Sequence, residues 1–91
     1  MIIGIDCERM RAFLNSFEDA EEVGENEYAV DLYETDPALS MNIELTKDGA
    51  DVLAALYLKY DEEQDGWYLG EKTKDVALIE KALLQAIEEA R

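Results

Sequence analysis

The residues able to do chemistry in this chain are almost all carboxylates. Twenty-three of its 91 residues are Asp or Glu, against eight Lys or Arg, one Cys and no His, for a formal net charge of −15. Without His the chain lacks the commonest neutral-pH general base and the commonest transition-metal ligand. Ser-His-Asp and Cys-His nucleophile systems are excluded within one chain. Among so many carboxylates, some pair falls by chance at the ~5–9 Å separation used in glycoside hydrolysis, so that coincidence carries no weight. A chain this short also has little room for a deep cleft. The expectation is a protein that is not an enzyme and holds no cofactor or metal.

Charge placement says more than charge count. Between Ala12 and Thr46 there is no Lys or Arg, while Glu18, Asp19, Glu21, Glu22, Glu25, Glu27, Asp31, Glu34, Asp36 and Glu44 all fall there. A second cluster is Asp61, Glu62, Glu63 and Asp65. A globular chain of this length has a radius of gyration of about 12 Å and is roughly 30 Å across. Duplex DNA of that length carries on the order of 18 charges, close to the net charge here. Such a surface repels nucleic acid and anionic membrane, and attracts a basic groove on another protein. The opposing reading is a solvated acidic surface that aids solubility, or a halophile's adaptation.

The stretch Asp61-Glu-Glu-Gln-Asp65-Gly66 through Lys72 has acids at the first, third and fifth positions of a calcium-loop pattern and Gly at the sixth. The bidentate acid belongs at the twelfth position, which is Lys72, so a hairpin tip is the preferred reading. The aromatic group Tyr57, Tyr60, Trp67 and Tyr68 has only Lys59 interleaved, which disfavours base stacking. It suits cross-strand packing or a protein-binding hot spot with Trp67 as anchor. Cys7 is read as a buried structural thiol. It excludes an internal disulfide, and the neighbouring Asp6 and Glu8 oppose an activated thiolate.

These residues need a scaffold, and hydropathy periodicity supplies one. Met10, Phe13, Leu14 and Phe17 stripe a helix over 6–17, with Asp6 as N-cap. The acidic segment 18–27, containing Gly24, reads as a loop. Tyr28–Tyr33 alternates, with Tyr28, Val30 and Leu32 on one side and Ala29, Asp31 and Tyr33 on the other, a half-buried strand ended by Thr35-Asp-Pro37. Residues 39–45 alternate with Leu39, Met41, Ile43 and Leu45 inward. Residues 51–60 fit either a helix stripe (Val52, Leu53, Leu56, Tyr57, Tyr60) or a strand between two Asp-Gly turns, and strand is favoured. Trp67–Leu69 is then the return strand. A last helix starts at Thr73 or Lys74 and runs to about Ala90, with Val76, Ile79, Leu83, Ala86, Ile87 and Ala90 as its apolar face. The expected fold is α+β: one domain over 1–91, a four-stranded antiparallel meander with both helices on one face, in the order α-β-β-β-β-α.

No apolar run reaches the ~20 residues of a membrane span, and the first residues lack a signal-peptide pattern, so the expected compartment is the cytoplasm. The profile resembles small acidic phage-borne inhibitors, including anti-CRISPR and other DNA-mimic proteins. It is also similar to small acidic immunity proteins that neutralise basic nuclease toxins. That resemblance is one of size and charge, and it implies a mode of action without transferring residues. The expected function is a stoichiometric inhibitor or decoy whose partner is a basic, nucleic-acid-binding protein. It would dock through Glu18–Asp36, Asp61–Asp65 and Trp67. The alternative is an interaction module or homo-oligomer that uses the aromatic patch, with the charge incidental.

Overall fold

In the computed structural model, which describes residues 1–90, the elements follow from local signals that mostly agree with the sequence. Helix α1 spans Cys7–Ser16, and its N-cap Asp6 accepts from the N–H groups of Glu8 and Arg9. Those bonds satisfy two of the first-turn donors that a helix leaves unpaired. Met10, Phe13 and Leu14 are buried along one stripe. Cys7 is half-buried against the core, more open than the expected buried thiol. Helix α2 spans Val76–Glu89. It starts later than expected because Asp75 is its cap: the carboxylate accepts from the Leu78 N–H, while the Thr73 hydroxyl holds the Asp75 N–H. The stripe of α2 is Ile79, Ala82, Leu83, Ala86 and Ile87; Val76 and Ala90, expected inside, are exposed.

The sheet is antiparallel with six strands, not four. They are β1 (Ile2–Ile3), β2 (Ala20–Gly24), β3 (Glu27–Leu32), β4 (Leu39–Thr46), β5 (Gly49–Asp61) and β6 (Gly66–Lys72). The order is β1-β5-β4-β3-β2, with β6 also pairing to β5, beyond β1 on the same side. The segment read as an acidic loop is therefore an edge strand. It shows no alternation because neither of its faces is buried: of its five residues only Ala20 is partly covered. Backbone pairing to β3, Ala20 opposite Val30 and Glu21 opposite Ala29, makes it a strand. Strand β1 lies close against the β4–β5 turn because Gly49, at φ 138°, has no side chain there; a β-carbon would collide with the Ile3 carbonyl oxygen.

Segment 51–60 is a strand, and its irregular pattern has a structural cause. Asn42 faces Ala54 but Ile43 faces Val52, which leaves Leu53 as an extra bulged residue. The bulge shifts the inward parity, so Ala50 and Val52 are buried before it and Ala55 after it. Both helices and the inward residues of β3, β4 and β5 meet in one apolar core. Among the described residues no helix covers the opposite face of the sheet, since both pack into that one core. Beyond the end of β4, residues 58–61 continue with β6 as a two-stranded arm, and the molecule measures 42 × 25 × 24 Å. It is longer than the expected ~30 Å sphere.

Candidate acidic binding surface

The acids of the β2 edge are placed by helix α1 and by the ladder to β3. Phe17 ends α1, its N–H bonding the Phe13 carbonyl, and the chain turns so that Asp31 donates to the Asp19 carbonyl at 3.0 Å. Glu21 projects with Ala29 onto the open face, and Glu22 projects with Tyr28 toward the helices. Glu25 is in the β2–β3 turn, closed by Asn26 at φ 58°. Glu18, Asp19, Glu21, Glu22, Glu25, Glu34 and Asp36 are exposed, while Glu27 and Asp31 are half-buried.

The register then assembles a feature that the sequence reading missed. Glu27 pairs with Glu44, and Glu44 pairs with Asp51. Three carboxylates from three neighbouring strands therefore form one row across the open face, at the ~4.8 Å strand spacing. Like charges directly opposite one another destabilise a sheet. The row has a single counter-charge, the amino-terminal ammonium 2.7 Å from Asp51. By sequence position Glu44 belongs to the acidic field without being marked as a contact, and Asp51 lies outside both acidic clusters.

A second assembly is a cavity of about 520 Å³ between the end of α1, the start of β2, the β3–β4 loop and the end of α2. It brings Glu18, Asp19 and Glu34 together with Glu89. Both helices point their C-terminal ends at it, and neither has a basic residue in its last turn. The partial negative charge of those ends adds to the carboxylates, so the cavity is strongly electronegative. Glu89 lies more than fifty positions from its neighbours here, and only tertiary packing could reveal it.

Asp61–Asp65 occupy the tip of the β5–β6 arm, on the other side of the sheet from β2. The Asp61 carboxylate accepts from the N–H groups of Glu63 and Gln64, and Asp65 takes φ 50°. This is a hairpin tip closed by its own acids, with the positive φ at Asp65 and not at Gly66. Among the described residues no group of three Asp, Glu or Cys is placed to hold a metal ion.

The four aromatics do not form one patch. Tyr60 and Trp67 are cross-strand partners with ring centroids 5.3 Å apart, and the Tyr33 ring lies 5.4 Å from Trp67. Tyr57 packs partly into the core, and Tyr68 pairs with Lys59 on the opposite face of the arm. Tyr33, absent from the expected group, is the link: its hydroxyl donates to Asp31 at 3.3 Å. Burial, and then the Asp31 and Asp19 carboxylates, push its phenol above the usual value. The Tyr60 hydroxyl donates to Asp65, and that bond, followed by burial, raises Tyr60 as well.

Among the described residues the amino terminus–Asp51 contact is the single salt bridge, so no Asp or Glu is paired with a Lys or Arg side chain. Fifteen net charges over the 42 Å long axis give one per about 2.8 Å. That falls between one per roughly 1.7 Å for duplex DNA and one per roughly 3.4 Å for one of its strands. No helix is long and apolar enough to cross a membrane. Compared with known proteins, the chain matches no family model, no curated protein and no solved structure.

Proposed function

We propose that this chain is a non-enzymatic acidic decoy that docks into the basic, nucleic-acid-binding groove of another protein. The observation that carries the reading is the absence of side-chain ion pairs among the described residues of a chain with 23 carboxylates. A surface selected for stability alone would set lysines opposite the Glu27–Glu44–Asp51 row; here the row keeps its repulsion. Unpaired carboxylates at fixed spacing form a preorganised polyanion, and a basic groove would meet it as it meets phosphates. The docking surface is the β2 edge, the carboxylate row and the rim of the cavity: Glu18, Asp19, Glu21, Glu22, Glu25, Glu27 and Glu34, joined by Glu44 and Glu89. The tip acids stand at the end of the β5–β6 arm and are left out of it, and so is Trp67, whose ring is engaged by Tyr60 and Tyr33.

The test is capture on immobilised protein from nuclease-treated bacterial lysate, eluted with salt and with nucleic acid. The expected result is a basic nucleic-acid-binding protein released at moderate salt and displaced by DNA or RNA. Glu21→Lys, Glu22→Lys and Glu25→Lys together should abolish that capture while the circular-dichroism spectrum stays native. Unchanged capture by the triple variant would sink the proposal.

A further inference from the structure

We propose that β6 is a self-pairing edge, along which two copies of this chain join antiparallel into one continuous sheet. The edge is open: among the described residues β6 bonds to β5 and to no other strand. The direction of its free groups follows from one hydrogen bond. Leu58 donates its N–H to the Ala38 carbonyl at 2.9 Å, on the β4 side of β5. In an antiparallel ladder the N–H and C=O of one residue point the same way, and successive residues alternate. Leu69, opposite Leu58, therefore turns both groups away from β5, and so does Trp67. These are unpaired strand donors and acceptors aimed outward, a template for another strand.

The side chains around them carry no charge and no Pro, and the one guard on this edge is the bulge between Leu69 and Lys72. Trp67, Tyr68 and Leu69 are 44%, 53% and 58% exposed, and no Pro or charged residue interrupts Gly66–Gly70. Charge then selects the occupant. One end of the arm carries Asp61, Glu62, Glu63 and Asp65. The other carries Lys72 and Lys74 beside Glu71, with Asp75 turned to cap α2 and the stem of Lys59 lying over Gly70. Among the described residues none of these lysines is in a salt bridge. A two-fold pairing with Leu69 opposite its own copy sets Trp67 opposite Lys72 of the second copy, because the bulge after Leu69 makes Lys72 the next residue with its backbone groups outward. The acidic tip of each arm then lies against Lys72 and Lys74 of the other. Other contacts between two copies meet repulsion. Stacked open faces would oppose two Glu27–Glu44–Asp51 rows, and paired β2 edges would oppose Glu21 and Glu22. A chain of net charge −15 thus meets a second copy favourably along β6.

Sedimentation equilibrium over a concentration series tests this, with three variants. Leu69→Pro removes an N–H that faces the free edge, and Pro is accepted on edge strands when its missing donor faces outward. Leu69→Ala keeps the N–H and removes most of the side chain. The wild-type mass should rise with concentration toward twice 10.3 kDa. Leu69→Pro should stay at 10.3 kDa with a native circular-dichroism spectrum, and Leu69→Ala should still associate. A wild-type chain that is monomeric up to its solubility limit overturns the proposal, as does a folded Leu69→Pro that still dimerises. Should Leu69→Pro fail to fold, the double variant Lys72→Glu, Lys74→Glu decides. It leaves the ladder intact and should weaken association about tenfold; undiminished association overturns the proposal.

Discussion

Strand β2 and strand β6 are both edges of the same sheet, and they are defended in opposite ways. β2 shows Glu21 and Glu22 to its two faces, has its pairing to β3 broken by a register shift after Glu22, and is flanked by Glu18, Asp19 and Glu25. β6 shows Trp67, Tyr68 and Leu69, with its acids and lysines drawn to its ends. An edge strand normally blocks stray pairing with charge, a bulge or Pro. β2 uses two of these devices, charge along its length and a bulge after Glu22, while β6 has only a bulge, between Leu69 and Lys72, and neither charge nor Pro beside the outward groups of Trp67 and Leu69. The difference teaches that the acidity is not spread as a uniform solubilising coat. It is concentrated where backbone pairing is to be refused and where a basic surface can be met. It is absent where an apolar strand remains available.

The sharpest way to break this contrast is to make β2 resemble β6. In a Leu69→Pro background, Glu21→Thr with Glu22→Val removes both guards. The expected outcome is new concentration-dependent association through β2, seen by light scattering, in a protein that Leu69→Pro alone leaves monomeric. Thermal unfolding should change little, because both positions are exposed and surface changes fall within about 0.5 kcal/mol. A double variant that stays monomeric would show that the bulge alone protects β2.

The same contrast explains what the sequence made legible. α1, β3, β4 and the stripe of α2 each have one buried face, and a buried face writes its period into the residues. β2 has no buried face, so its acids and Gly24 imitate a loop. In β5 the bulge at Leu53 places Val52 and Ala55 inward three residues apart, a spacing that also fits a helix. The acidic field was visible as composition, but the Glu27–Glu44–Asp51 row depends on the register of β3, β4 and β5. Glu89 in the cavity and Tyr33 on Trp67 depend on packing between distant segments. Local patterns carry none of this.

A smaller effect separates the two faces of the β5–β6 arm. Trp67 is held between Tyr60 and Tyr33, and aromatic pairs contribute about 0.5–1.5 kcal/mol each beyond area burial. Trp67→Ala should therefore cost about 2 kcal/mol in urea unfolding and loosen the arm from the Tyr33 segment. Tyr68→Ala, on the other face with no ring against it, should cost under about 0.5 kcal/mol. Equal costs would mean that the rings do not anchor the arm. The lesson for the two edges is that β6 is open outward yet tied inward, so its apolar strand is presented on a held frame.

The smallest expected effect is a titration that reads this tie directly. The phenol of Tyr33 is raised first by burial, then by the Asp31 and Asp19 charges and the bond to Asp31. A phenol whose folded value lies above its unfolded value favours the folded chain while it is neutral. Its contribution is complete below the ordinary pKa of 10.0 and is lost as pH climbs through the raised value. Asp31→Asn removes one carboxylate from the phenol and keeps a side-chain oxygen that can accept its bond. The Tyr33 titration, followed by tyrosinate absorbance against a Tyr33→Phe reference, should move down toward the ordinary value without reaching it, because burial remains. Trp67→Ala, which uncovers the ring, should lower it by the other route. If Asp31→Asn left the titration in place while Trp67→Ala moved it, burial under the β6 arm alone would set the phenol. The tie between the two regions would then be a packing contact and not an electrostatic one.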